Sequence, residues 1–306
     1  MKRRDFIQKT AVSSAILTFG GLSLSSFSNK KTKRITILHT NDTHSHIDPF
    51  PSDHSKYPNM GGAARRASYI NKVREENPNT LLFDAGDMFQ GTPYFNYYGG
   101  ELEFKIMNIL KYDAATLGNH EFDNGLEGLA AQVPIAEFDI INANYDFSKT
   151  IMNGLTKPYK VYEKDGIKVG VFGLGVKLDG LVNKREYGET IYLDPIETAN
   201  RMTKILKEDE KCDLVICLSH LGYAYDKNIN PDMIGDLDLA AQTQGIDLII
   251  GGHTHTFLDK PTLVKNAIGE DVIVNQAGCF GLRMGQIDFI FEDNKLVSNS
   301  VRNINI

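Results

Sequence analysis

Five short apolar runs in this sequence each end at polar residues of the types that bind metal ions. The runs comprise residues 35–38, 81–83, 114–117, 214–218 and 248–250. Apolar runs of this kind, bounded by turn residues, are typical of buried β-strands. Ligands of open α/β sheets gather in the crevice outside the carboxyl ends of the strands. The five polar clusters are therefore predicted to converge on one site.

The polar residues that follow these runs include seven candidate metal ligands. They are Asp42, His44, Asp87, Asn119, His220, His253 and His255. We expect Asp87 to bridge two cations by directing one carboxylate oxygen at each of them. The first cation would also take Asp42, His44 and His255, and the second would take Asn119, His220 and His253.

Two divalent cations held by these side chains would support hydrolysis. Ligand sets that mix imidazole, carboxylate and amide groups suit manganese, zinc, cobalt or iron better than calcium. Such a pair acidifies a water molecule to hydroxide near neutral pH and stabilises the charge that develops during in-line displacement at phosphorus. The sequence therefore predicts a phosphohydrolase that uses two metal ions.

One histidine beside the candidate ligands has a different predicted role. His120 directly follows Asn119, so its ring could face the leaving oxygen and donate a proton or a charged hydrogen bond. Asp123, three residues later, could accept a hydrogen bond from the other imidazole nitrogen and hold the ring in place. We therefore predict His120 and Asp123 as the catalytic pair. The pattern does not identify the residues that bind the rest of the substrate.

Helical and hairpin patterns lie between the apolar runs and predict the fold class. Amphipathic helices are expected between Gly62 and Asn77 and over residues 101–110, 126–133, 196–211 and 235–244. Turn residues at Asp165 and Gly166 and at Asp293 and Asn294 predict two antiparallel hairpins. Strand–helix units combined with antiparallel hairpins predict an α/β protein with two stacked mixed sheets and helices outside them.

The first residues have the layout of an export signal. Lys2, Arg3 and Arg4 precede a weakly apolar stretch that ends near Ser28, and paired arginines favour the twin-arginine route. We therefore assign residues 1–28 to the signal and residues 33–306 to a catalytic domain, and we expect a periplasmic or other extracytoplasmic location. The membrane is then contacted only transiently, and a retained short anchor is the alternative.

The net charge argues against one class of partner. Cleavage after residue 28 removes four basic residues and one acidic residue, so the formal charge changes from −6 to about −9. An acidic chain does not attract the phosphate backbone of nucleic acids. It can still bind a small phosphate ester, because bound cations dominate the local field. The expected partner is therefore a small phosphate-ester substrate and not a nucleic acid.

The quoted motifs resemble those of a known family. Two strings resemble the calcineurin-like metallophosphoesterase signature, Gly118-Asn119-His120-Glu121 and Gly252-His253-Thr254-His255. The shorter motifs Asp42-x-His44, Gly86-Asp87 and Ser219-His220 belong to the same resemblance. Residues 38–42 and 276–278 are similar to the bacterial 5′-nucleotidase branch, which also contains UDP-sugar diphosphatases and 2′,3′-cyclic nucleotide phosphodiesterases. The resemblance implies a four-layer α/β/β/α sandwich, a dinuclear site and nucleotide dephosphorylation.

Two further expectations follow from the resemblance. Nucleotidases of this family usually have a C-terminal domain that binds the nucleoside, whereas this sequence ends at Ile306 after the catalytic region. We therefore expect a separate subunit to supply the nucleoside pocket. The alternative activities are hydrolysis of a UDP-sugar, a 2′,3′-cyclic nucleotide or a thiosulfonate. A protein of another class, a non-catalytic partner subunit with this fold, would be expected to have lost some ligands.

Overall fold

A six-stranded mixed sheet carries three of the five apolar runs. The structure, a computed structural model, describes residues 31–306. The strands of this first sheet are β1 (Thr32–Thr40), β2 (Thr80–Asp84), β3 (Ala114–Ala115), β4 (Asp139–Ile140), β13 (Arg283–Glu292) and β14 (Lys295–Asn305). Their spatial order is β14-β13-β1-β2-β3-β4. Strands β1 to β4 run parallel, and β13 is antiparallel both to β1 and to its hairpin partner β14.

The second six-stranded sheet carries the other two runs. Its strands are β6 (Tyr159–Lys164), β7 (Ile167–Leu174), β9 (Leu214–Ser219), β10 (Leu248–Gly251), β11 (Thr262–Lys265) and β12 (Asp271–Asn275). They follow the order β11-β12-β10-β9-β7-β6, with β7, β9, β10 and β12 parallel. Both predicted hairpins form, β6–β7 and β13–β14. A small two-stranded sheet pairs β5 (Tyr145–Asp146) with β8 (Ile191–Tyr192).

Helices cover the outer faces of the two large sheets. They are α1 (Ala63–Glu76), α2 (Pro93–Tyr98), α3 (Glu101–Leu110), α4 (Gly125–Gln132), α5 (Lys184–Tyr187), α6 (Pro195–Lys204) and α7 (Asp236–Gln242). One hydrophobic core lies between the sheets, where Ile37 and Phe289 pack with Ile216. A second core joins the first sheet to α1, α3 and α4, and a third joins the second sheet to α6 and α7. The predicted α/β class with mixed sheets is confirmed, and the layers run α/β/β/α.

Two elements differ from the sequence-based expectation. The third apolar run forms a strand only at Ala114–Ala115, so Thr116 and Leu117 already belong to the following loop. The helix expected over 196–211 begins at Pro195, capped by the Asp194 side chain, which accepts a hydrogen bond from the Glu197 N–H at 2.8 Å. It ends as an α-helix at Lys204 and continues as a π-helical turn over Ile205–Asp209. Local apolar periodicity does not distinguish these two helical geometries.

The strand directions place the motif loops together. β1 and β2 are parallel neighbours in the first sheet, and β9 and β10 are parallel neighbours in the second. Their carboxyl ends lead into the loops that carry six of the seven candidate ligands, and the seventh, Asn119, follows β3, which is parallel to β2. The predicted export signal, residues 1–28, lies outside the described residues. Between residues 31 and 306, no helix has the length and apolar character needed to cross a membrane.

Candidate metal centre

The loop after β1 in the first sheet and the loop after β10 in the second bring three candidate ligands together. Ligand atoms of Asp42, His44 and His255 all lie within 4.8 Å of one another. The Nε2 atoms of His44 and His255 are 2.9 Å apart, and Asp42 Oδ1 lies 3.4 Å from His255 Nε2. Two imidazole nitrogens and a carboxylate oxygen therefore converge on one point, as a transition-metal site requires.

A second cluster contains Asp87, His220 and His253. Their ligand atoms also lie within 4.8 Å of one another. Asp87 Oδ2 is 3.0 Å from His220 Nε2 and 3.8 Å from His44 Nε2, so one carboxylate lies between the two clusters. From the sequence we expected each oxygen of Asp87 to face one cation. Here Oδ2 lies near both clusters, because Oδ1 accepts a hydrogen bond from the His120 N–H at 2.9 Å.

Buried atoms without partners test whether a cation fits these clusters. Among residues 31–306, Oδ1 of Asn119 is buried without a hydrogen-bond partner, and Nε2 of His220 is buried and faces Asp87 Oδ2 at 3.0 Å without hydrogen-bond geometry. Such atoms cost free energy unless something binds them. Both atoms belong to residues that we predicted from the sequence as ligands of the second cation. The residues present therefore fit a divalent metal ion.

Hydrogen bonds on the far side of two rings orient the ligand nitrogens. His220 Nδ1 lies 2.7 Å from the Ala85 carbonyl oxygen, and His44 Nδ1 lies 3.2 Å from the Phe89 carbonyl oxygen. In each ring Nδ1 must carry a proton to donate to a carbonyl, so the lone pair for a metal is on Nε2. Both Nε2 atoms point into the clusters described above.

The backbone at the site is unusual. Five of the seven candidate ligands have positive φ, at 49° for Asp42, 46° for His44, 56° for Asp87, 70° for His253 and 51° for His255. Such conformations are uncommon for residues other than glycine and concentrate at functional sites. A Cβ atom at Gly118 would overlap Asp87 Oδ1 and lie 2.6 Å from His220 Nε2, so only glycine fits that position.

Burial and charge act together on the His220–Asp87 pair. Burial disfavours the charged form of His220, but the Asp87 and Asp42 carboxylates and the Ala85 carbonyl together outweigh it and raise the pKa of His220 to about 10. Burial likewise opposes ionisation of Asp87, and His220 nevertheless holds the pKa of Asp87 below its ordinary value. A cation at this position would replace the second proton of His220, because only the neutral imidazole can be a ligand.

The predicted catalytic pair lies at the open side of the site. His120 Nδ1 is 2.8 Å from Asp123 Oδ2, and about a third of each side chain is exposed, 33% and 30%. The Asp123 carboxylate raises the pKa of His120 above its ordinary value. A ligand atom of His120 lies within 4.8 Å of those of His44 and Asp87. The imidazole therefore borders the cluster while remaining accessible to a substrate.

Sequence reasoning missed the residue that organises the bridging loop. Glu121 is 1% exposed, and its two carboxylate oxygens accept hydrogen bonds from four backbone N–H groups. The donors are Asp87, Met88, Phe89 and Gly118. Glu121 thereby ties the loop that carries Asp87 to the loop that carries Asn119. The available signal was its place in the string Gly118-Asn119-His120-Glu121.

Asn41 is a second residue whose role the sequence did not reveal. Its Nδ2 donates to Asp42 Oδ2 at 2.7 Å and to the Gly278 carbonyl at 2.6 Å, and its Oδ1 accepts from the Ala277 N–H at 2.9 Å. The His253 N–H donates to both oxygens of Asp42 at 3.0 Å. Asp42 is therefore fixed by the loop of the other sheet and by a neighbouring amide.

Comparisons with known proteins concern the family of this chain. Residues 35–257 match the model of the calcineurin-like phosphoesterase family. The chain is 36% identical to the trifunctional nucleotide phosphoesterase protein YfkN of Bacillus subtilis (89% of this chain, 19% of YfkN). It is also 36% identical to the snake venom 5′-nucleotidase of Crotalus adamanteus (88% of this chain, 47% of that protein).

A solved structure is also similar to this chain. The 5′-nucleotidase precursor from Thermus thermophilus is similar with a TM-score of 0.80 and 35% identity, over 90% of this chain and 55% of that one. The chain thus spans about half the length of the venom protein and of this precursor. The family model covers well over half of the 306 residues. The resemblance stated from the sequence is therefore confirmed, and the chain belongs to the calcineurin-like phosphoesterase family.

Proposed function

We propose that this protein hydrolyses phosphate monoesters of nucleotides with the help of two divalent cations. The observation that carries the proposal is the position of Asp87, whose carboxylate lies between a cluster with His44 and a cluster with His220 and His253. The names of the relatives, nucleotide phosphoesterase and 5′-nucleotidase, support the choice of substrate. Hydrolysis of a UDP-sugar or a 2′,3′-cyclic nucleotide stays the alternative, and a non-catalytic role is disfavoured because every expected ligand is present.

Each side chain has a defined part in this reaction. Asp42, His44, Asp87 and His255 would hold one cation, and Asp87, Asn119, His220 and His253 the other. Bound there, the two ions supply Lewis-acid activation of a water molecule and neutralise charge on the phosphoryl oxygens. His120 donates a proton or a charged hydrogen bond toward the leaving oxygen. Asp123 keeps the His120 ring in the orientation and tautomer that this donation needs.

Removing the metal is expected to abolish activity reversibly. Protein treated with a chelator and then dialysed should release no phosphate from adenosine 5′-monophosphate, because the two cations would supply the activation of water. Manganese, zinc or cobalt should restore phosphate release, whereas calcium should restore little, since imidazole ligands suit the first three. Phosphate release measured over nucleotides, UDP-glucose and 2′,3′-cyclic nucleotides checks this. Full turnover by metal-depleted protein would contradict the proposal.

We also propose that the protein is exported by the twin-arginine route and acts in the periplasm. The support is the Arg3-Arg4 pair ahead of the apolar stretch. Replacing both arginines with lysine, which keeps the charge, is expected to leave the chain in the cytoplasm of the native host. Cell fractionation measures this, and replacing Lys30 and Lys31 with arginine is the matched control. Unchanged export of the double-lysine variant would contradict the route.

The separate nucleoside-binding subunit stays a prediction, which co-purification from the native host would test.

A further inference from the structure

The residue that follows the candidate ligand His44 is held by its backbone groups. Ser45 is 2% exposed and has a φ of 58°, in the left-handed region. Its N–H donates to the Met88 carbonyl at 2.9 Å, and its own carbonyl accepts from the Thr92 hydroxyl at 2.9 Å. Ser45 therefore anchors the backbone directly after His44, beside the loop that carries Asp87.

The side chain of Ser45 has a charged partner on helix α3. The Ser45 hydroxyl donates a buried hydrogen bond to Oε1 of Glu103 and accepts one from the Thr92 hydroxyl at 2.9 Å. Glu103 is 5% exposed. A hydrogen bond to an ionised acceptor is stronger than one between neutral groups. Helix α3 thus makes a charge-assisted contact with the residue next to a candidate ligand.

A carboxylate is unfavourable at this place in the fold. Phe104, Met107 and Leu110 of the same helix belong to the hydrophobic core. Oε2 of Glu103 is buried and has no hydrogen-bond partner within the part of the chain that the structure describes. Burying a charged group that is only partly hydrogen-bonded costs free energy. An apolar side chain would pack there at less cost, so the carboxylate indicates a use outside the helix.

Stabilisation of the helix terminus does not explain this carboxylate. Glu103 lies in the first turn of α3, where acidic side chains interact favourably with the helix dipole. Glu101 lies in the same turn, however, with 42% of its side chain exposed, and pairs with Lys105. Glu101 can supply the dipole interaction without the cost of burial. The contact that distinguishes Glu103 is the one with Ser45.

We propose that Glu103 is a positioning residue for the first cation, because it holds Ser45 and thereby keeps His44 directed at the cluster with Asp42 and His255. The inference rests on the proposed function, since it requires a cation at that cluster. His44 and Ser45 are both in the left-handed region, with φ of 46° and 58°, which residues other than glycine rarely adopt. Two such residues in succession need outside contacts to stay in place, and Glu103 provides one of them.

Titration of metal-free protein with manganese, followed by calorimetry, tests the inference without requiring turnover. The binding step that is lost in His255→Asn belongs to the first cation. Glu103→Met is expected to weaken that step about tenfold, the low end of the range for a lost outer-shell contact, and to leave the other step unchanged. Glu103→Gln keeps an oxygen that accepts from the Ser45 hydroxyl, so it should restore most of the affinity.

A control and a second variant complete the experiment. Glu101→Met makes the same change in the same helical turn on an exposed side chain, and it should leave both binding steps unchanged. Ser45→Ala should weaken the first cation about as much as Glu103→Met. Combining the two substitutions should add little, because both remove the same hydrogen bond.

The melting temperature of the metal-free variants separates positioning from a purely structural role. A Glu103→Met protein that melts at a lower temperature but binds both cations like the wild type would show that Glu103 only stabilises the fold. The inference is also wrong if Glu103→Met weakens both steps equally, or if Glu103→Gln binds no better than Glu103→Met. Binding of two cations without any release of phosphate from adenosine 5′-monophosphate would contradict the proposed function only.

Discussion

Asp87→Asn is expected to lower kcat for adenosine 5′-monophosphate by at least about a hundredfold, from the magnitudes typical of lost metal catalysis. The His120 N–H donates to Asp87 Oδ1 at 2.9 Å, and an asparagine would keep its oxygen on that donor. Its amide nitrogen would then take the place of Oδ2, which lies 3.0 Å from His220 Nε2 and 3.8 Å from His44 Nε2. A neutral N–H donor there cannot bridge two cations, so bound metal should fall as well.

Turnover and metal content measured on the same sample check this result. Asp271→Asn makes the identical chemical change on an exposed carboxylate that pairs with Lys265 at 2.9 Å, far along the second sheet in β12. That control should retain full turnover and metal content. An Asp87→Asn protein with wild-type kcat and two bound cations per chain would remove Asp87 from the bridging role.

The candidate ligands could be found from the sequence because each lies just after a strand. A buried strand is recognisable from local apolar composition, and the parallel arrangement then brings the strand ends together. Residues that act through backbone contacts could not be found in this way. Glu121 organises the site by accepting from backbone N–H groups of Asp87 and Gly118, and no side-chain pattern records the direction of a backbone N–H. The bridging of both clusters by Oδ2 of Asp87 depends on such a contact too.

The other features of the site that the sequence did not predict depend on contacts between distant segments. Phe280 reaches His46 across more than two hundred residues, and neither lies in an element whose periodicity predicts its partner. The positive φ of Asp42 and His255 follows from loops held between two sheets, not from the residues themselves, which carry only a mild preference for that region. The short third strand has a similar origin, because Thr116 and Leu117 are drawn into the loop that positions Asn119.

His120→Asn is expected to reduce kcat for a nucleotide by about 10²- to 10⁴-fold, the usual range for loss of a general acid. Asparagine cannot transfer a proton to the 5′-oxygen of ribose, which is a poor leaving group. The His120 Nδ1 is engaged with Asp123 Oδ2 at 2.8 Å, so Nε2 is the nitrogen left for this transfer. Metal content should be unchanged, which separates this variant from Asp87→Asn.

The leaving group decides whether His120 acts as an acid. An aryl ester such as p-nitrophenyl phosphate expels a stable anion and needs no proton, so its kcat should fall much less in His120→Asn than that of adenosine 5′-monophosphate. Asp123→Asn should show the same substrate dependence with a smaller loss, because the imidazole remains but is less well oriented. Equal losses on both esters would mean that His120 binds the phosphoryl group through charge alone, and the proton for the 5′-oxygen would then have to come from solvent.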